Sequence, residues 1–215
     1  MPIFDIDFSQ SSIGPLKKGK VRVFYGITAD LPVVAVVGLG PNNAGINELE
    51  ELDEKNENVR VAIAAGVRSL RELGAIEEID VDSCENPTAA AEGAALGLYY
   101  FDELKSAALK KPQVKVNLLA NDASDEQKWN VGLTHASGQN LCRFLEENPA
   151  NIMTPTAFAK IAAEKLGPLG VTVTARDRAW AETMKMGSFL SVARGSDEPP
   201  VFLEVNCLNC VYKVH

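Results

Sequence analysis

A chain of 215 residues with 46% hydrophobic and 23% charged residues has the composition of an ordinary globular protein, long enough for one large domain or for one domain and part of another. No apolar run approaches the roughly 20 residues that span a bilayer, so we expect no membrane span. The net charge of -8 would repel a phosphate backbone, and the basic cluster LKKGKVRV (16–23) is too small to reverse that. Nucleic acid is therefore not an expected partner.

The N-terminus and the cysteines indicate the compartment. MPIFDIDFSQ (1–10) has no basic region followed by an apolar segment, which predicts a cytoplasmic protein. Four cysteines are too few and too irregularly placed for a disulfide scaffold. We expect Cys84 and Cys142, which lie in ordinary contexts, to be reduced thiols.

Two strands are predicted early in the chain. KVRVFYGI (20–27) has the β-branched and aromatic content of a strand. LPVVAVVGLG (31–40) is a nearly unbroken apolar run, which predicts a strand covered on both faces and ended by Gly38 and Gly40.

Helices and strands then alternate. Apolar residues at spacings of three and four predict a helix over 56–73 that Gly74 ends. Its apolar stripe consists of Val59, Ile63, Val67 and Leu70. A strand is predicted from Ile76, a helix over 87–105 that opens with a proline, and another strand over 114–120.

A helix of more than about twenty residues is predicted next, because an apolar stripe continues as far as NPAN (148–151). Ser124 with Gln127 fits a capping box at its start. The stripe consists of Trp129, Leu133, Ala136, Asn140, Leu141, Phe144 and Leu145. A helix this long often connects two domains.

The last third of the chain predicts two further strands. Thr154 as N-cap and Pro155 as first residue begin a helix that runs to about Leu166. Strands are predicted at 171–175 and 200–205, with a short helix around Trp180 between them. Strands that alternate with helices indicate an α/β fold.

The loop GLGPNNAG (38–45) follows a strand and invites a dinucleotide interpretation. Its spacing is G-x-G-x-x-x-x-G, and no helix is predicted to begin directly after it. A phosphate needs backbone N–H groups at a helix N-terminus, so the sequence favours a plain loop.

Cys207, Cys210 and His215 offer three possible zinc ligands, and the two cysteines also resemble a redox pair. A fourth ligand is missing, and a redox C-x-x-C usually begins a helix rather than following a strand. We favour an ordinary tail over either use.

The remaining polar residues form no recognisable constellation. Only His135 and His215 are histidines, which argues against a histidine triad or a histidine-rich metal centre, and His135 is interpreted as structural. The acidic runs ELEELDEKNEN (48–58) and SDEPP (196–200) are interpreted as solvated loops.

Two stretches carry a family resemblance. ASGQNLCRFLEENPANIMTPTAFAKI (136–161) and MGSFLSVARGSDEPPVFLEV (186–205) closely resemble the leucyl aminopeptidase (cytosol aminopeptidase) family of metallopeptidases. The resemblance continues upstream through VFYG, VVGLG, ENVRVAIAAG and AAAEGAALGLY, so it covers the chain from about Lys18 to Val205.

The resemblance implies a domain organisation and an assembly. It implies a macro-like N-terminal α/β domain with a helix-flanked mixed sheet (1–121), a long connecting helix (122–150) and an incomplete start of an α/β catalytic domain (151–215). The stretch 186–205 would be the first strand region of that catalytic domain. Family members hold two divalent metals, usually zinc or manganese, and assemble as hexamers.

The family's metal ligands come from later motifs that this sequence does not contain. These are a glycine-flanked lysine before an Asp-Ser-Gly-Gly turn, a further aspartate, and an Asn-Thr-Asp-Ala-Glu-Gly-Arg loop. Two metals bridged by carboxylates activate a water and polarise the peptide carbonyl, so their ligands are essential to the reaction. We therefore assign no catalytic, cofactor-binding or metal-binding residue and expect no cofactor for this chain.

Three functions remain open at this point. The first is a shortened leucyl aminopeptidase relative, inactive alone, which serves as a structural or interaction unit. The second is part of an active metal-dependent aminopeptidase that removes N-terminal residues such as leucine from peptides. The third, by analogy with macro-like folds, is a small-ligand module that uses the GLGPNNAG loop.

The ends of the chain also depart from the family pattern. The usual first strand has no clear counterpart in 1–10, and NCLNCVYKVH (206–215) replaces the continuation of the catalytic sheet. A shortened product, a splice form or an incomplete gene model would account for both. A strand at 200–205 without its neighbours would expose an apolar edge, so we expect association with itself or with a full-length relative.

Overall fold

The structure, a computed structural model, describes Gly14 and residues 16–119 and 122–207. It divides into two compact units, Met1–Cys142 and Arg143–His215. Both units combine helices with parallel or antiparallel strand pairs, which confirms the α/β prediction.

The first unit begins with an antiparallel strand pair. Strands β1 (Val21–Tyr25) and β2 (Val33–Val37) lie in register, with Val23 opposite Ala35. Every residue of β2 is only half-buried, less than its apolar run predicted. Among the described residues, β2 has a strand neighbour on one edge only.

A small hairpin follows, which the sequence did not predict. Strands β3 (Ile46–Asn47) and β4 (Leu52–Asp53) pair antiparallel, and the Asn47 side chain accepts hydrogen bonds from the N–H groups of Leu49 and Glu50 at 3.1 and 3.3 Å. The acidic run at 48–58 is therefore not one solvated loop, because it contains β4 and the first turn of a helix.

Helix α1 (Glu54–Arg71) begins two residues earlier than predicted. The Asp53 carboxylate accepts hydrogen bonds from the N–H groups of Lys55 and Asn56, which satisfies donors of the first turn. The predicted stripe faces inward, with Val59, Val67 and Leu70 buried. Gly74 follows the helix with a φ of +81°, the left-handed conformation that a glycine adopts without strain.

A parallel strand pair and its connecting helix complete the core of the first unit. Strands β5 (Glu78–Val81) and β6 (Lys115–Leu118) pair in parallel, and helix α2 (Pro87–Leu98) lies between them in sequence. The helix ends seven residues before the predicted position 105, because Tyr99 turns to an extended conformation with a ψ of 136°. The core cluster consists of Val59, Val67, Leu70, Ile79, Val81, Ala89, Ala90, Ala91, Ala94 and Trp129.

The long predicted helix is present as α3 (Ala123–Glu147). Its start differs from the prediction, since Asp122 accepts the hydrogen bond from the Asp125 N–H at 2.8 Å and Ser124 lies inside the helix. Asp122 is the residue directly before the helix, which is the N-cap position, and its carboxylate accepts the bond that a cap supplies. Trp129 and Ala136 are buried, as their stripe predicted.

The second unit contains helix α4 (Pro155–Leu166), strand β7 (Thr172–Arg176), helices α5 (Arg178–Thr183) and α6 (Gly187–Ala193), and strand β8 (Phe202–Asn206). Thr154 caps α4 as predicted, accepting a hydrogen bond from the Ala157 N–H at 3.2 Å. Helix α6 was missed, so 186–205 is not uniformly a strand region. A helix of seven residues is too short to show a clear period.

The strands of the second unit form an antiparallel pair, and Ala159 of α4 and Ala181 of α5 are buried in this unit. Phe202 stacks on Trp180 at 5.4 Å between ring centroids and meets Phe189 edge-on at 5.9 Å.

No helix in the described part of the chain is both long and apolar enough to cross a membrane.

Candidate functional site

The most developed polar site is a buried carboxylate between three helices. Glu92 lies on α2 with 6% of its side chain exposed. Arg60 on α1 donates from Nε to Glu92 Oε2, and His135 Nδ1 on α3 lies 2.9 Å from Glu92 Oε1. We call Arg60, Glu92 and His135 the Glu92 cluster.

Small residues on α2 and α3 bring the cluster together. A Cβ added to Gly93 would lie 2.5 Å from the Arg60 carbonyl oxygen, so α1 and α2 are in contact at this point. A Cβ added to Gly132 would lie 2.3 Å from the Thr88 carbonyl oxygen, so α3 approaches α2 equally closely. The Thr88 hydroxyl also donates to the Lys128 carbonyl at 3.0 Å. These contacts position Glu92 beside Arg60 and His135.

The protonation of Glu92 follows from its surroundings. Burial raises the pKa of the Glu92 carboxyl, but the hydrogen bonds with His135 and Arg60, together with their charges, outweigh burial and leave that pKa below the ordinary value of 4.5. Glu92 is therefore an ionised partner that holds three helices, rather than a proton donor at neutral pH.

His135 has a defined structural contact, although 55% of its side chain is exposed. Sequence reasoning missed the rest of the cluster, because Arg60 and Glu92 are 32 residues apart and Glu92 and His135 are 43 apart. The available signal was a single charged residue in AAAEGAALG, an otherwise small and apolar helix segment. A charge in such a helix requires a partner when it is buried.

The GLGPNNAG loop does not have the geometry of a phosphate site. The next helix, α1, begins only at Glu54, after the hairpin. Gly38 is needed for close packing, since a Cβ there would lie 2.3 Å from the Lys17 carbonyl oxygen, and Gly40 has a φ of +86°. These local requirements explain the glycines of the loop without a ligand.

The cysteines differ in state. Cys84 and Cys142 are reduced, whereas Cys207 is disulfide-bonded. Burial, and then the charges of Asp82 and Glu85, raise the pKa of the Cys84 thiol to about 11. Cys210 and His215 lie outside the described residues, so the interpretation of that tail stays a prediction.

Two domain models of one family match the chain. Residues 16–108 match the N-terminal domain of the cytosol aminopeptidase family, and residues 140–210 match the catalytic domain of the same family. The chain belongs to the cytosol aminopeptidase family, as the resemblance of the two motif stretches predicted.

Relatives match most of this chain but only part of themselves. The cytosol aminopeptidase of Bos taurus is 50% identical over 194 residues, which cover 89% of this chain and 36% of that protein. The cytosol aminopeptidase of Homo sapiens is 48% identical, again over 89% of this chain and 36% of that protein. The chain thus spans about a third of the length of these relatives.

Solved structures share the fold. The bottromycin maturation enzyme BotP in complex with Mn aligns with a TM-score of 0.70 at 30% identity, over 88% of this chain and 39% of that chain. A mutant of tomato leucine aminopeptidase aligns with a TM-score of 0.71 at 22% identity, over 88% and 38% of the two chains. The second likeness concerns the fold alone.

The described residues do not fit the two-metal centre that the family implies. Among residues 14, 16–119 and 122–207, no three His, Cys, Asp or Glu side chains come together as a potential metal site. Glu92, a deeply buried carboxylate, already pairs with Arg60 and His135. A metal-activated water therefore has no ligand set in this part of the chain.

Proposed function

We propose that this chain is a non-catalytic structural or interaction unit of cytosol aminopeptidase type, inactive by itself. The observation that carries the proposal is the sequence, which lacks the lysine, Asp-Ser-Gly-Gly and Asn-Thr-Asp-Ala-Glu-Gly-Arg motifs that bear the family's metal ligands. The retained parts, α1, α2 and α3 around the Glu92 cluster, serve packing rather than chemistry. The chain requires no cofactor and works in the cytoplasm.

The unit is suited to association through its second half. Strands β7 and β8 pair only with each other among the described residues, and a two-stranded sheet is marginally stable alone. Val192 is 81% exposed and Val205 on β8 is 50% exposed. An open edge beside apolar side chains favours a second copy or a full-length relative as partner.

The alternative function is participation in an active metal-dependent aminopeptidase that removes N-terminal residues such as leucine. The 50% identity to the bovine enzyme favours it. In this case the metal ligands lie outside residues 1–215 or belong to a full-length relative in the same assembly.

One assay separates the two functions. The purified chain is incubated with Mn²⁺ and a leucyl amide, alone and with a fixed amount of the active full-length bovine relative. The proposal predicts no leucine release by the chain alone, and no more release in the mixture than the relative gives without the chain. Saturable release by the chain alone, co-eluting with it on size exclusion, overturns the proposal, and a chain-dependent increase in the mixture supports the alternative.

A further inference from the structure

A cavity of the first unit lies where helices α1 and α2 both end. Its volume is about 330 Å³, and its described lining comes from the last turns of these two helices and from residues between 99 and 116. Sites for small organic ligands begin at about 300 Å³. The size therefore suits a small molecule.

Arg71, the last residue of α1, is a buried cation that lines this cavity. Only 7% of its surface is exposed, and no described carboxylate lies within ion-pair distance of its guanidinium. Within the described part of the chain its one side-chain hydrogen bond runs from Nη1 to the Leu98 carbonyl at 2.8 Å, and its buried Nε–H has no partner. A guanidinium has five N–H donors, so Arg71 retains capacity to bind an anion.

A role in capping α2 does not by itself account for Arg71. Leu98 is the last residue of α2, and a cation near the C-terminus of a helix is favourable. An exposed lysine or arginine supplies that interaction at little cost, whereas burial of a guanidinium removes it from water. One neutral carbonyl offsets this loss only in part, because a buried charge normally has a charged partner.

Two lysines add positive charge around Tyr100, which also lines the cavity. The ammonium groups of Lys105 and Lys111 lie 4.5 and 4.4 Å from the Tyr100 ring centroid, and Lys105 Nζ donates to the Tyr100 hydroxyl at 2.6 Å. Neither lysine has an ion pair with a described residue. The hydrogen bond from Lys105, and then the charges of the two lysines, lower the pKa of the Tyr100 phenol from its ordinary value of 10. Positive charge is thus concentrated here in a chain whose net charge is -8.

The charges of the lining favour a monovalent anion. Asp102 is the one carboxylate among the described lining residues, and its Oδ2 accepts from the backbone N–H of Lys111 at 2.9 Å. Arg71 and Lys111 are the two cations, so the lining has a net charge of +1. One carboxylate balances that charge, whereas a phosphate dianion exceeds it. The planar guanidinium also matches a carboxylate in geometry.

Much of the remaining wall is apolar. Ala95 and Leu98 of α2 line the cavity, as do Val114 and Val116 and the side chain of Tyr100. An inorganic anion would leave this surface without a contact. A carboxylate attached to a small apolar body uses the charged and the apolar parts of the wall together.

We propose that this cavity binds a small organic monocarboxylic acid. The carboxylate pairs with Arg71 and is attracted by Lys111, and the apolar body lies against α2 and the residues that lead into β6. The proposal does not depend on the function proposed above, because it concerns binding alone and uses no metal.

The probe is 4-fluorobenzoate, with neutral 4-fluorobenzamide as matched control and inorganic phosphate as a competitor. Fluorine NMR measures binding to the full chain, and the nitrogen–proton signal of the Arg71 Nε–H, assigned by its loss in Arg71→Met, reports the site. We expect the benzoate to bind at least about tenfold tighter than the benzamide and to shift the Arg71 signal. Phosphate should displace it at least about tenfold less effectively than unlabelled benzoate does.

Variants make the test specific. Arg71→Met retains the bulk of the side chain without its charge and should weaken benzoate binding at least about tenfold in a folded chain. If that variant does not fold, Lys111→Met decides, with Lys110→Met as matched control, because Lys110 pairs with Glu103 at 3.5 Å and is not among the described lining residues. Lys111→Met should weaken binding about two- to fivefold, and Lys110→Met should leave it unchanged.

Four results would each overturn the proposal. They are no binding of the benzoate, equal binding of benzoate and benzamide, displacement by phosphate as effective as by benzoate, and binding that leaves the Arg71 signal unmoved. Equal losses in the two lysine variants would also overturn it, because they would indicate attraction by the general surface charge rather than by this cavity.

Discussion

His135 Nδ1 lies 2.9 Å from Glu92 Oε1, which joins the long helix α3 to α2 in the first unit. Arg60 of α1 pairs with the other oxygen of the same carboxylate. One buried charge thus connects three helices, and its removal is the most direct probe of how this unit is held together.

Replacing Glu92 by glutamine should lower the free energy of unfolding by about 2–3 kcal/mol, because a neutral amide leaves the part-buried Arg60 guanidinium without a charged partner at this position. Urea unfolding followed by circular dichroism measures the change. Glu57→Gln is the matched control, since Glu57 also pairs with Arg60, at 3.4 Å, but on the half-exposed surface of α1. The control substitution should lower the free energy of unfolding by less than about 0.5 kcal/mol. Equal losses for the two variants would contradict the role given to Glu92.

The contribution of Glu92 should depend on pH in one direction. Its pKa is lower in the folded than in the unfolded chain, so its stabilisation is fully present above about pH 4.5 and disappears as the pH falls through the folded pKa. The difference in unfolding free energy between the natural chain and Glu92→Gln should therefore be largest near pH 7 and shrink toward pH 3. A difference that grows in acid would contradict the assigned sign.

The contact between α2 and α3 depends on the absence of a side chain at Gly132. Gly132→Ala should destabilise the chain by about 2 kcal/mol, because the new methyl group would lie 2.3 Å from the Thr88 carbonyl oxygen. Gly138→Ala on the same helix meets nothing within 4 Å and should stabilise it by about 0.5–1 kcal/mol through helix propensity. Thermal unfolding of each variant measures these two changes in stability. The same sign for both would show that α3 does not pack as described.

Cys84 should react slowly with thiol reagents. With a pKa of about 11, only about one thiol in a thousand is ionised at pH 8, and the thiolate is the reactive form. Mass spectrometry after brief treatment with iodoacetamide should find Cys142, which is exposed, modified before Cys84. In the Cys142→Ser variant the fast modification should disappear and the slow one at Cys84 remain. Fast modification of Cys84 in the folded variant would rule out its burial.

Local rules predicted most helices and strands. The stripe of α1, the alternation of β5 and the Thr154-Pro155 start of α4 each depend on residues within a few positions, so the sequence alone sufficed. The hairpin β3–β4 and helix α6 were missed because each is too short for periodicity. The end of α2 at Leu98 was missed because alanine and leucine favour helix and only the ψ of Tyr99 departs from it.

The sites were less predictable than the elements. The Glu92 cluster joins residues on three helices, and no spacing rule links positions 60, 92 and 135. The pairing of β2 with β1 alone, among the described strands, was not predictable either, because the apolar run at 31–40 does not say which strands lie beside it. The family, in contrast, was predictable, since its motifs are contiguous stretches of sequence.

We propose that this chain carries no metal-dependent active site, and metal stoichiometry tests this most directly because trace contamination by another peptidase does not change the amount of metal bound per chain. The purified chain is dialysed to equilibrium against Mn²⁺ and analysed by mass spectrometry of the metal and by amino-acid analysis of the protein. We expect far less than one manganese per chain. Two manganese ions per chain, retained after removal of free metal and accompanied by leucyl amide hydrolysis, would contradict it.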